Sequence, residues 1–273
     1  MAVFRAFTSV PIIANSVLLF FCSIEFVSSE SAAVKFQPHR AFYEMSTTKI
    51  KRGSAIMDVD GRMVFEWRVI CDGWVVEQRY IMRYHWEDGR TTNSNTLLSS
   101  WESKDGDHYK FFVRNTSAGE SESFVEGEAS YLREASKGVA KFHKPRKLDL
   151  ELPRETIFPS HHTFALIDAA ESGQKIVSMP VFDGSKLETA SFVSSVIGSR
   201  SMLKGRFKQL KYREYWPVRM AFFSVDNKGI QPDYEITLHI HPNGIASGLI
   251  LDYEQFSLRV DLLRLEMIEA PVC

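Results

Sequence analysis

Two pairs of histidines are the first residues whose types and spacing could do chemistry. His239 and His241 stand two apart in "YEITLHIHPNG". Side chains two apart on a strand share a face, so both imidazoles would line one side with Glu235 and Thr237. A His-x-His pair is a fragment of a zinc site, but zinc takes four donors and the sequence points to no third or fourth. His161 and His162 adjoin at the start of "SHHTFALIDAAESG". Neighbours on a helix point about 100° apart, so these two cannot serve one metal from one face. The helix dipole also disfavours a protonated imidazole at an N-terminus. Both read as packing or capping residues. The acids Asp58, Asp60, Asp183 and Asp252 are scattered, and no two fall on a common face as an acid–base pair. There is no Gly-x-Ser-x-Gly elbow, Walker loop, dinucleotide fingerprint or zincin helix. The residues therefore nominate no catalytic group, no metal ligand and no cofactor, and the protein is expected not to be an enzyme.

Cysteine chemistry is more informative. The chain has three cysteines, Cys22, Cys71 and Cys273. Cys22 lies in the apolar stretch "PIIANSVLLFFCSIEF", which follows Arg5 and precedes small residues ending at Ala33. A basic start, an apolar core and a small-residue cleavage site make a secretory signal peptide, expected over 1–33. The apolar run of about 14–16 residues falls short of the ~20 that a spanning helix needs, so an uncleaved anchor is the weaker reading. Phe20 and Phe21 occupy positions where a lipoprotein signal needs small residues. Cleavage leaves Cys71 and Cys273 in an oxidising compartment, where two thiols favour one bridge over two buried free thiols. That bridge would close about 200 residues and contribute about 4–5 kcal/mol in the loop-entropy description.

The elements that must position these groups are strands. After cleavage the 33 basic and 34 acidic side chains lose Arg5, Glu25 and Glu30 and come to 32 of each. Zero net charge gives no reason to expect nucleic acid or an anionic membrane as a partner. From "HRAFYEM" onward, apolar and polar residues alternate in runs of roughly ten, with turns at Glu87-Asp88-Gly89, Lys104-Asp105-Gly106, Ala118-Gly119 and Asn243-Gly244. Asp60-Gly61 carries the same hairpin signal inside "SAIMDVDGRMVFEW". A break with three prolines covers 141–175. It contains the one strong helical pattern, near 160–172, with Ser160 as its expected cap and Gly173 as its stop. "FSLRVDLLRLEM" is the last strand, expected to end at Pro271. The predicted fold is mostly β: about 14 antiparallel strands in a single domain over 34–273. That many strands cannot stay flat, so the sheet should curl into a spiral or broken barrel. The 20 Phe, 9 Tyr and 5 Trp then supply an interior that could hold an acyl chain or a peptide.

The blocks "PHRAFYEM", "GRMVFEWRVICDGWVVEQRYIMR", "SSWES" and "KFFVRN" resemble the first half of the EipB family of bacterial cell-envelope integrity proteins. "LPRETIFPSHHTFALIDAAESGQK", "VFDGS", "YWPVRMAFFS", "PDYEITLHIHPNGIASGLILDYEQFSLRVDLLRLE" and the terminal Cys273 resemble its second half. The blocks come in the same order with similar spacing over nearly all of 38–273. The resemblance implies an exported alphaproteobacterial protein, resident in the periplasm, with a spiral-like broken β-barrel and a disulfide between Cys71 and Cys273. It implies a role in envelope integrity, with no established activity or ligand. The expected function is binding of an envelope protein, a lipid or a peptidoglycan-related partner. The alternatives are a carrier for lipid or lipoprotein acyl chains and, third, a hydrolase built on the Asp and His residues.

Overall fold

The computed structural model describes residues 36–119, 121–203, 207, 210, 213–224 and 231–273. The expected signal peptide, its cleavage point and Cys22 lie outside them. The first arm of the fold is a meander of eight strands: β1 (His39–Ile50), β2 (Ile56–Ile70), β3 (Gly73–Trp86), β4 (Thr91–Ser103), β5 (His108–Ser117), β6 (Ser123–Leu132), β7 (Lys137–Lys144) and β8 (Leu148–Leu152). One helix follows, α1 (Pro159–Glu171). The second arm is β9 (Ile176–Val181), β10 (Ser191–Ile197), β11 (Ser201–Met202), β12 (Glu214–Phe223), β13 (Tyr234–Ile240), β14 (Ala246–Asp252) and β15 (Phe256–Met267). The expected strand-rich chain with one helix is therefore what forms, with fifteen strands among the described residues.

All pairings within the sheet are antiparallel, and the order is β8-β7-β6-β5-β4-β3-β2-β1-β15-β14-β13-β12-β10-β9, with β11 beside β12. The first and last strands thus meet in the middle of the sheet, and its two ends are β8 and β9. These ends do not pair with each other. Instead the segment after β9 crosses the inner side of β5–β7: Phe182 packs among Tyr109, Phe111 and Phe142, and the Thr189 hydroxyl donates to the Glu151 carbonyl at 2.8 Å. One end overlapping the other makes the sheet a spiral, not a closed barrel. Gly184 permits the overlap. Its φ is +67°, and a Cβ there would lie 2.3 Å from the Phe111 ring.

Alternation buries one face. His39, Ala41, Tyr43 and Met45 point inward from β1, as Phe256, Leu258, Val260 and Leu262 do from β15. A bulge between Phe42 and Tyr43 then shifts the register, so that Leu265 also turns inward while Leu263 is exposed. The core falls into three clusters. One joins β1–β3 to β14 and β15; one joins α1 to β9, β10, β12 and β13; one joins β5–β8 to the segments flanking α1 and β9.

Four local expectations are corrected. Asp60-Gly61 is not a turn, because β2 runs through it for 15 residues. Gly61 lies between Met45 and Met82, and a Cβ on it would approach the Ile81 carbonyl to 2.3 Å, so glycine serves close strand approach here. The turn before β2 falls instead at Gly53, with φ +86°. The break after 141 is not irregular throughout, because "LDLEL" forms edge strand β8 with Leu152 inward. Ser160 does not cap α1; Phe158 holds the N-cap position and Pro159 opens the helix. β15 ends at Met267, before Pro271, where its partner β1 begins at His39 and the ladder runs out. The tail then crosses to the β2–β3 turn, where Cys273 is disulfide-bonded to Cys71 with Cα atoms 5.6 Å apart and a sequence separation of 202. No described helix is long and apolar enough to cross a membrane.

Candidate functional site

A buried carboxylate forms the seat of α1. Glu102 is on the inward parity of β4, with Thr96 and Ser100, and is 2% exposed. Its carboxylate accepts the Ser160 N–H at 2.7 Å, the His161 N–H at 3.0 Å and His161 Nδ1–H at 2.5 Å. A side chain from another strand thus supplies the cap that the helix lacks locally, and a negative charge suits the positive end of the helix dipole. Trp74 packs edge-on against His161 and Phe164, and Phe164 stacks on Trp67 with centroids 5.7 Å apart. The opposite side of α1 buries Leu166, Ile167 and Ala170 against the second arm. The helix is the plug between the two arms, and Glu102 fixes its entry.

Beneath the first turn of α1 lies a cleft of about 220 Å³. Phe65, Trp67, Leu98 and Tyr109 form its walls, Ser160 its roof and Asp183 its edge. Tyr109 is tied across it by a hydroxyl donation to the Asp183 carbonyl at 3.0 Å, and burial raises its pKa far above the usual phenol value. Trp67 Nε1 is buried with no acceptor among the described residues.

The other nominated residues sit apart in role. His162 is buried on α1, and desolvation pushes its pKa down to about 4. Burial likewise lowers His39, opposed by the Gln37 carbonyl. His239 and His241 flank one ring, Tyr215, at centroid distances of 4.6 and 5.9 Å. His239 is on β13, but His241 has left the strand and its backbone N–H donates to the Ile245 carbonyl. Among the described residues, the one group of three His, Asp or Glu side chains close enough for a cation is Asp58, Asp60 and His85. There the Arg83 guanidinium already grips Asp60 at 2.7 and 3.1 Å and, with His85, holds that carboxyl below its usual value. Asp60 is therefore satisfied as an ion pair across β2 and β3. Asp252 is paired with Glu235 in the β13–β14 ladder, away from Asp183 in sequence and strand. Sequence reasoning did not single out Glu102. The signal available was its parity: a lone carboxylate on the inward side of an alternating strand requires a buried partner.

A family model described as EipB-like matches residues 30–269. The cell envelope integrity protein EipB of Brucella abortus is 29% identical over 254 residues, covering 89% of this chain and 88% of that protein. The crystal structure of a β-barrel-like protein from Brucella abortus superposes with a TM-score of 0.80 at 28% identity, covering 87% of this chain and 100% of that one. Its described likeness to a barrel fits a curled sheet whose ends overlap without pairing. The family model's match over residues 30–269, nearly the whole chain, places this chain in the EipB-like family.

Proposed function

We propose that this protein is exported to the periplasm and supports bacterial cell-envelope integrity without catalysing a reaction, by binding an envelope protein, a lipid or a peptidoglycan-related component. The observation that carries this reading is the match along nearly the whole chain to a relative named for cell envelope integrity. The Cys71–Cys273 bridge supports the compartment, since such bonds persist where the environment is oxidising. The test is deletion of the gene in its own bacterium, with fractionation of the tagged protein. Cells without it should become sensitive to detergent and cell-wall stress, and the wild-type gene should restore them. Normal envelope resistance in the deletion, or a purely cytoplasmic protein, would end this reading. Crosslinking in the periplasm would then name the partner.

The second reading is a carrier of lipid or lipoprotein acyl chains, favoured by the apolar cleft. Its 220 Å³ is small beside the roughly 300–1,000 Å³ of typical ligand pockets. Gentle purification followed by mass spectrometry decides it: stoichiometric co-purifying lipid supports a carrier, and its absence removes the motive.

A further inference from the structure

We infer that the outer face of β9 and β10, at one end of the curled sheet, docks on the surface of a phospholipid bilayer with zwitterionic headgroups. This deepens the reading of an envelope protein, on which it rests for the compartment. It names a membrane surface instead of a lipid held in a pocket.

The face is apolar where the first arm is charged. Alternation turns Ile176, Ser178 and Pro180 outward from β9, and Phe192, Ser194 and Val196 outward from β10. The ladder sets Val196 beside Ile176, Phe192 beside Pro180, and Phe223 of β12 beside Phe192. Ile176 is 62% exposed, Val196 53% and Phe192 46%. None of the six outward positions on β9 and β10 bears a charge. On β2 and β3 the outward positions include Arg62, Glu66, Arg68, Glu77, Arg79 and Arg83. A contiguous exposed apolar patch marks a surface that meets something other than water.

The chemistry of the face selects the occupant. Its polar groups satisfy one another: the Ser178 hydroxyl donates to that of Ser194 at 3.2 Å. Arg219, which faces outward beside Val196, is gripped by both oxygens of Glu235 at 2.6 and 3.1 Å. A protein interface carries about one hydrogen bond per 100–200 Å². These side chains leave no group to make one. Strand addition is hindered as well. Pro180 has no N–H, its carbonyl accepts the Ile157 N–H at 3.0 Å, and Gln174 Nε2–H donates to the Ile176 carbonyl at 2.9 Å. A bilayer requires neither hydrogen bonds nor matched shape, because apolar transfer is non-directional and scales with area. With no cation on β9 or β10 to meet it, an anionic headgroup adds no attraction.

The test floats the protein, recovered in its exported and disulfide-bonded form, with vesicles of phosphatidylcholine and phosphatidylethanolamine. Binding should saturate, and added phosphatidylglycerol or raised salt should change it by less than about twofold. Phe192→Asp should weaken binding roughly tenfold or more, since it carries a charge into the apolar contact. Leu132→Asp, at a side chain 64% exposed on the first arm, should leave binding unchanged. Amide exchange in β9 and β10 should slow on vesicles while that in β2 and β3 does not, a readout that needs no variant to fold. The inference is overturned if the protein does not float, or if it floats only with phosphatidylglycerol and is released by salt. It is also overturned if the two variants weaken binding alike or if exchange in β9 and β10 is unchanged. Sedimentation that reveals a dimer broken by Phe192→Asp would overturn it too, by making a second copy the occupant. A normal envelope in the deletion strain leaves vesicle binding as it is, so failure of the envelope reading and failure of this one are told apart.

Discussion

At the scale of single residues, the structure turns on side chains buried by strand parity. Glu102 satisfies two backbone donors and an imidazole at the start of α1. Removing it leaves those donors buried and unmet, so Glu102→Ala should cost about 3 kcal/mol, more than a typical substitution. Thermal unfolding should fall by roughly 6–12 °C for a chain of this size. A melting point within a degree of wild type would show that the seat of the helix does not depend on this carboxylate. His162 has the opposite character, an imidazole kept neutral by burial. Its pKa is about 4 in the folded protein against 6.5 for an exposed imidazole, so the unfolded chain binds the proton first as pH falls. Stability should be full above pH ~6.5 and decline toward pH 4, by about 3 kcal/mol from this group alone. His39 and His239, also lowered by burial, act in the same direction. Urea unfolding between pH 7 and 4.5 should therefore show a slope that His162→Gln reduces; an unchanged slope would mean that His162 takes up its proton without unfolding.

At the scale of elements, what could be read from the sequence depended on whether a local pattern was enough. The strands of the first arm were legible because alternation and turn glycines are local signals, as at Gly89, Gly106 and Gly119. The helix was legible because Gly173, at φ +80°, ends it as expected. Asp60-Gly61 misled because the same dipeptide suits a turn and a tight strand contact, and only the neighbouring strands decide which. β8 was passed over because prolines on either side masked the alternation of Leu148, Leu150 and Leu152. The Glu102 seat was not legible, since its partners lie 58 and 59 residues away. The two uses of glycine give a paired prediction. Gly53 has positive φ but open space around it, so Gly53→Ala should cost about 1 kcal/mol of backbone strain. Gly61 has the Ile81 carbonyl where a Cβ would go, so Gly61→Ala must push β2 from β3 and should cost clearly more. Equilibrium denaturation of the two variants side by side measures the difference, and equal losses would contradict the strand-contact role of Gly61.

At the scale of the whole molecule, stability rests on holding together a sheet whose ends do not hydrogen-bond. A closed barrel has no free edge, whereas this spiral leaves β8 and β9 as ends and relies on overlap, on α1 and on the join of β1 to β15. The β1–β15 join brings the two ends of the domain together in the centre of the sheet, so opening there would separate the arms. The Cys71–Cys273 bond lies across this place. It ties the tail beyond β15 to the β2–β3 turn, spanning the start of β1 between them. Closing a loop of 202 residues limits the unfolded chain and should be worth about 5 kcal/mol. Cys71→Ser and Cys273→Ser should each lose that amount under oxidising conditions, and each should be cut faster by protease, first near the β1–β15 join. The double variant should lose no more than either single one, because both remove the same bond. In a strong reductant, wild type and variants should converge. If wild type keeps its advantage there, the stabilisation comes from packing of the tail and not from the covalent link; if the variants match wild type without reductant, the join of β1 to β15 is sufficient by itself.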